Sequence, residues 1–281
     1  MKSPCRSPRP SPSSRSARPC DCKLDATSTE RSWSTSDPVI HCGPVRSRPR
    51  TFATGGLRLS GVRGARGVLH GRDRARGESL VKEIAESGGS ARFIAADLTD
   101  AEDTLRLAAE AGAVDILVNN AGHYAFAPTA QTDAAGFDRH IAVNTRAPFL
   151  LVGALAPAMA ARGHGTVITI GSSAARTPAP IGAVYGASKA GVETLTRYWA
   201  TEFGGSGVRV NPVSPWPVKT EGTSAMFGAQ LAVLDQVNAR GRAGEPHEIA
   251  EIVAFLASPA SSCINGAILF ADGGEISTLP G

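Results

Sequence analysis

Tyr185 and Lys189 stand four residues apart in Val184-Tyr185-Gly186-Ala187-Ser188-Lys189-Ala190-Gly191. On a helix that spacing puts both side chains on one face. A free phenol ionises near pH ~10, so a tyrosine that moves protons at neutral pH needs a neighbouring positive charge that favours the phenolate. Lys189 can supply it, and the pair predicts proton transfer to or from a substrate oxygen. The competing reading of Tyr185 is a residue that merely begins a helix packed on a sheet. Thirteen residues earlier, Ser172 follows the β-branched run Thr166-Val167-Ile168-Thr169-Ile170-Gly171, which reads as a buried strand ending in a loop. A hydroxyl there can face the helix that starts near Tyr185.

The elements that must position these groups are legible around them. Val114-Asp115-Ile116-Leu117-Val118 is another buried-type strand, closed by Asn119-Asn120-Ala121-Gly122, and Asn144 lies inside a helical pattern from about Asp133 to Arg162. From about residue 67 to 270 strands alternate with helices, which favours an α/β fold with a doubly wound parallel sheet covered on both faces. In such sheets ligands bind beyond the carboxyl ends of the strands, where Asn119, Ser172 and Thr220 would cluster.

Over residues 64–281 the chain resembles the short-chain dehydrogenase/reductase family. The marks are Asn119-Asn120-Ala121-Gly122, Asn144, Ser172, Tyr185-x-x-x-Lys189, the stretch Asn211 to Thr220, the turn Arg242 to Ala250, and Ala271-Asp272-Gly273-Gly274. The resemblance implies a single Rossmann-like domain that moves a hydride between a nicotinamide cofactor and a carbonyl or secondary alcohol, of 3-oxoacyl-carrier-protein-reductase or sugar/alcohol dehydrogenase type. It implies that Tyr185 is the acid in reduction and the base in oxidation, and that Ser172, rather than the adjacent Ser173, hydrogen-bonds the substrate oxygen. Lys189 would bind the nicotinamide ribose and lower the Tyr185 pKa, and Asn144 would hold a water that resupplies the proton.

Cofactor contacts are expected from Arg72, Asp97, Leu98, Asn119, Asn120, Ala121, Gly122, Tyr185, Lys189, Pro215, Val218 and Thr220. Arg72 stands where the family often meets the adenosine 2′-phosphate, so NADP(H) is favoured, with NAD(H) the alternative. A solvated charge in the run Arg72 to Arg76 is the competing reading. The family also implies a cytoplasmic homo-oligomer, a tetramer or dimer formed through the helices that carry Asn144 and Tyr185.

The N-terminal part departs from the family. The glycine fingerprint is missing: Thr54-Gly55-Gly56 opens a turn, but no later paired glycines follow, and little room remains for a helix before the second strand. The first strand-helix unit therefore reads as degenerate or missing, which would leave two unpaired edges in mid-sheet. Residues 1–63 form a basic segment set apart from the domain at 64–281. Residues 1–50 hold eight Pro, eleven Ser and eight Arg, and residues 1–66 carry 13 basic against 4 acidic groups. Such a composition predicts disorder.

A targeting segment and a nucleic-acid-binding arm compete with the preferred reading, a disrupted frame or start upstream of Gly64. The alternative function is then a catalytically impaired family member that retains only assembly or binding. A smaller departure is Pro215-Trp216-Pro217 where the family usually reads Pro-Gly, which is expected to narrow the substrate pocket.

Composition bounds the rest. With 281 residues and 42% hydrophobic content the chain suits one domain with an ample core plus a tail. No apolar run approaches the ~18 residues of a membrane span, so no membrane partner is expected. Cys5, Cys20, Cys22 and Cys42 lack zinc spacing, no His-Glu-x-x-His occurs, and no metal is expected. The six His read as incidental. The body is acidic and aromatics are few in the tail, so no nucleic-acid partner is expected, and the partner is a small-molecule carbonyl or alcohol.

Overall fold

The computed structural model describes residues 50–54, 66–179, 181–220, 223, 228, 235 and 238–275. The tail at 1–49, expected to be disordered, and the glycine turn at 55–65 lie outside the described residues. The strands are β1 (Arg50–Thr54), β2 (Arg66–Gly71), β3 (Ser90–Ala95), β4 (Ile116–Asn119), β5 (Gly165–Ile170), β6 (Val208–Pro215) and β7 (Leu269–Ala271). They form one parallel sheet in the order β3-β2-β1-β4-β5-β6-β7. The chain winds outward from β1 to β3, then returns to β4 and winds the other way. That reversal creates a crevice at the carboxyl ends of β1 and β4.

The first strand is thus present, where the sequence had suggested a gap. Phe52 pairs in register with Val68 on one side and Leu117 on the other. Thr51-Phe52-Ala53-Thr54 offers β-branched and aromatic residues suited to a strand, and the slot between β2 and β4 supplies two rows of otherwise unpaired backbone groups to receive it. The sheet consequently extends to the N-terminal side of residue 64, where the domain boundary was expected.

The described helices are α1 (Arg74–Glu86), α2 (Ala101–Ala111), α3 (Ala134–Ile141), α4 (Ala147–Arg162), α5 (Ala183–Gly204) and α6 (Pro246–Ala257). Asp73, Asp100 and Asp133 start the first three by accepting backbone N–H bonds in the first turn. At α6 the Glu248 carboxylate accepts from the Glu245 N–H at 2.9 Å. The Arg242 guanidinium, with the Glu245 N–H, holds that carboxyl well below the usual carboxylate range.

Strand alternation distributes the core over both faces. Leu117 and Val167 pack with Leu151, Val152, Met159, Val192 and Trp199 from α4 and α5, whereas Ile116, Val118, Ile168 and Ile170 pack with Ile249, Val253 and Leu256 of α6. A π-turn at Ala142–Arg146 joins α3 to α4 in one helix from Ala134 to Arg162. By length and composition that helix could cross a membrane. Here Leu151, Val152, Ala156 and Met159 bury its apolar face in the core of the domain.

Candidate active site

Tyr185, Lys189 and Glu193 occupy successive turns of α5, against the end of β5. Lys189 Nζ donates to the Ile170 carbonyl at 2.8 Å. Two residues later, Ser172 Oγ accepts from the Ala174 N–H at 3.2 Å. That leaves the Ser172 hydroxyl proton free to face the Tyr185 phenol, whose ionised form the hydroxyl favours. Ser173 is buried, and its hydroxyl acts on the Glu275 carboxyl instead. Of the two adjacent serines, Ser172 is the one that meets the tyrosine.

Burial dominates the electrostatics of this group. The Tyr185 phenol is pushed above its ordinary value by desolvation, against the opposing bond from Ser172. Desolvation also lowers Lys189 to about 8, with the Glu193 charge pulling the other way. The sequence had suggested that the ammonium depresses the phenol. In this structure Lys189 Nζ stands 6.0 Å from the Tyr185 ring centre and is bonded to a carbonyl, and loss of water sets the direction in which the phenol moves.

Asn144 sits in the π-turn, a wide turn that recurs at functional sites. Its Nδ2 donates to the His123 carbonyl at 2.8 Å and to Ser188 Oγ at 2.9 Å, and its Oδ1 accepts from the His123 N–H at 2.7 Å. Both of its donors are therefore committed to tying the loop after β4 to α5. Gly122 lies between Lys189 and Asn144: a Cβ there would stand 3.5 Å from Lys189 Nζ and 3.7 Å from Asn144 Oδ1.

The expected cofactor residues line the carboxyl ends of β2, β3, β4 and β6. Arg72 is exposed just past β2, and its charge reaches Asp97 after β3 and His123 after β4. Asp97 turns its carboxylate onto the Thr99 N–H at 2.9 Å. Leu98 buries its side chain in the core, so only its main chain is free to face a ligand. Asn119 ends β4 with both side-chain amide atoms buried and unpaired. Asn120 and Ala121 follow it toward Gly122.

At β6, Pro215 closes the strand, Val218 bridges Gly244, and Thr220 bonds Thr223. A buried amide without a partner costs about 1–3 kcal/mol, and a bound polar ligand is the ordinary remedy. With a basic residue beyond β2 and the close approach at Gly122, these groups fit a dinucleotide.

Trp216 packs on the α6 side of the sheet. Its side chain is 5% exposed and lines a cavity of about 280 Å³ with Arg242, Ile249, Ile252 and Phe270, on the α6 side of the sheet. The wall beside Tyr185 is built by other residues. Phe126 meets the Tyr185 ring edge-on at 5.3 Å and lies over Gly182, whose φ of 88° and missing Cβ admit the ring. Tyr124, Phe126 and Ile181 are 40%, 38% and 45% exposed, an unusual concentration of open apolar side chains at one mouth.

Two further residues here were not singled out from the sequence. His140 is buried, donates from Nδ1 to the Gly136 carbonyl at 2.7 Å, and accepts the Ala125 N–H on Nε2 at 3.1 Å. It thereby fixes the loop that carries Phe126 and is not incidental. Glu193 extends the four-residue spacing of Tyr185 and Lys189 by one more turn, a signal that was available in the sequence.

A family model described as enoyl-(acyl carrier protein) reductase matches residues 58–275. The chain is 40% identical over 236 residues to galactitol 2-dehydrogenase (L-tagatose-forming) of Cereibacter sphaeroides, covering 80% of this chain and 87% of that one. A solved structure of a short chain dehydrogenase/reductase family protein superposes with a TM-score of 0.78 at 43% identity, covering 83% of this chain and 99% of that one. A 3-oxoacyl (acyl-carrier-protein) reductase from Agrobacterium tumefaciens C58 with NADP bound superposes with a TM-score of 0.76 at 31% identity, covering 81% and 94%. The chain belongs to the short-chain dehydrogenase/reductase family.

Proposed function

We propose that this protein reversibly transfers a hydride between NADP(H) and a carbonyl or secondary alcohol, with Ser172, Tyr185, Lys189 and Asn144 as its catalytic residues. The observation that carries this is the Ser172 hydroxyl standing beside the Tyr185 phenol, whose ionised form it favours, with Lys189 on the next turn. The nicotinamide supplies the hydride chemistry when bound. Tyr185 gives its proton to the substrate oxygen in reduction and takes it back in oxidation, while the Ser172 hydroxyl stabilises the negative charge growing on that oxygen. Lys189 exchanges its Ile170 carbonyl for the ribose hydroxyls and brings its charge to bear on the phenol. Asn144 ties the loop after β4 to α5 and would there hold the water that resupplies the proton.

Asn119, Asn120, Ala121, Gly122, Pro215, Val218 and Thr220 would hold the dinucleotide, with Asp97 and the Leu98 main chain toward the adenine and Arg72 toward the 2′-phosphate. The NADP-bound relative supports that cofactor, and NAD(H) remains the alternative. Arg72→Glu is expected to raise the NADPH KM about 10- to 100-fold and to leave NADH nearly unaffected, the effect of losing a charge-assisted bond of ~1.5–3 kcal/mol. Steady-state kinetics with both cofactors decide it. An equal loss for both would remove Arg72 from the phosphate. The rival reading, a family member with a disrupted cofactor-binding N-terminus reduced to assembly or binding, was motivated by the missing glycine fingerprint and a missing first strand; β1 answers the second of these, and the family relatives favour the active reading.

Substrates of 3-oxoacyl and sugar/alcohol type both fit the chemistry. The open Tyr124, Phe126 and Ile181 wall favours an apolar flank beside the reacting carbon over a polyol, which would leave its hydroxyls without partners there. A panel of alicyclic ketones, short 3-oxoacyl thioesters and ketoses, each with NADPH, tests this. The expected preference for apolar flanks is about 10- to 200-fold in kcat/KM, the range that hydrophobic pockets achieve. Turnover of none of the panel would overturn the oxidoreductase reading.

The protein is further proposed to be a cytoplasmic homo-oligomer, dimer or tetramer, joined through α4 and α5. Phe149 on α4 and Tyr198 on α5 are both exposed, which supports this.

A further inference from the structure

The reaction as described makes no use of Glu193, although it is a carboxylic acid only 4% exposed in the heart of the site. Its Oε1 accepts the Ser172 N–H at 3.3 Å. A Cβ on Gly171 would overlap that carboxylate, so the glycine clears the space it fills. The residues on either side of Gly171 are therefore held by two successive turns of α5: Ile170 by Lys189 and Ser172 by Glu193.

We propose that Glu193 is a positioning residue of this site: its carboxylate clamps the Ser172 main chain to α5 and supplies the negative charge that partners the buried Lys189. The proposal rests on the reading of Ser172, Tyr185 and Lys189 as the reacting groups. A lysine buried without a counter-charge gives up its proton, because the interior penalises the charged form. Among the described ionisable groups, Lys189 feels the charge of Glu193, and Tyr185 feels Glu193 and Tyr124. In both cases the carboxylate favours the protonated form. Removing it must therefore move Lys189 and Tyr185 in the same direction, toward lower pH.

The test is an NMR titration of the full chain labelled with ¹³C-lysine. Lys189 is one of five lysines and is assigned by its absence in Lys189→Arg. Glu193→Gln keeps an acceptor for the Ser172 N–H but removes the charge, and the Lys189 midpoint is expected to fall by about one pH unit. Glu193→Asp keeps the charge with a shorter reach and is expected to recover part of the shift.

With a turned-over ketone, the pH profile of kcat/KM should move to lower pH on both limbs in Glu193→Gln, whereas general damage would lower its height without moving the limbs. An unmoved Lys189 midpoint in Glu193→Gln overturns the proposal, even if the enzyme is active. A moved midpoint in a protein that reduces no carbonyl upholds the charge partnership and sinks the oxidoreductase reading instead.

Discussion

Tyr185→Phe is expected to lower kcat for carbonyl reduction by about 10²- to 10⁴-fold, the range that a positioned general acid contributes. NADPH affinity should stay near wild type. The ring of the variant keeps its edge contact with Phe126 and its place beside His140, so only the hydroxyl and its bond to Ser172 are lost. Loss of one such bond costs about 1 kcal/mol, too little to unfold the domain.

Ser172→Ala removes the donor that faces the same oxygen and is expected to cost about 10²- to 10³-fold. Because the two hydroxyls act on one atom, the double variant should be little worse than Tyr185→Phe. Single-turnover measurements with NADPH and the best ketone of the panel separate this loss from any change in binding. If Tyr185→Phe retains wild-type kcat, the proton comes from elsewhere and the assigned chemistry is wrong.

How far the sequence reveals this site depends on how local each signal is. The Tyr185 and Lys189 pair is readable because helical geometry fixes a four-residue offset, and Ser172 because a β-branched run announces the strand it follows. The choice of Ser172 over Ser173 rested on family spacing, and the structure supplies the physical reason: Ser173 is engaged by Glu275, which lies about 100 residues further along the chain. Glu193 was overlooked although it continues the same face, because its meaning depends on Gly171 leaving room for it.

β1 was doubted because no glycine fingerprint follows it and little room remains for a helix before β2, yet strand pairing is a long-range matter, and the rows offered by β2 and β4 decide it. His140 shows the same limit. Nothing in its neighbourhood along the chain distinguishes a surface histidine from one whose two ring nitrogens are both satisfied by backbone.

Trp216 is where local reading and the structure point to different consequences, and it yields the second large effect. Against a family pattern of Pro-Gly, tryptophan suggested a crowded substrate pocket that glycine would relieve. Its actual place, 5% exposed on the α6 side and next to the open volume near Ile249 and Phe270, predicts the opposite outcome. Trp216→Ala is expected to destabilise the domain by about 3 kcal/mol, at the lower end of the 3–5 kcal/mol typical of large aromatic truncations.

Two features hold the value low. The neighbouring cavity means the ring is incompletely packed, and its Nε1–H is buried without a partner, so truncation also removes an unsatisfied donor. Trp216→Phe separates these contributions: it keeps most of the apolar contact, discards the orphaned donor, and should match or slightly exceed wild-type stability. Denaturant midpoints at constant m-value report both, and kcat per folded molecule should change little in either. Faster turnover in Trp216→Gly, with stability intact, would mean that the indole does obstruct the substrate and that its burial against α6 has been misassigned.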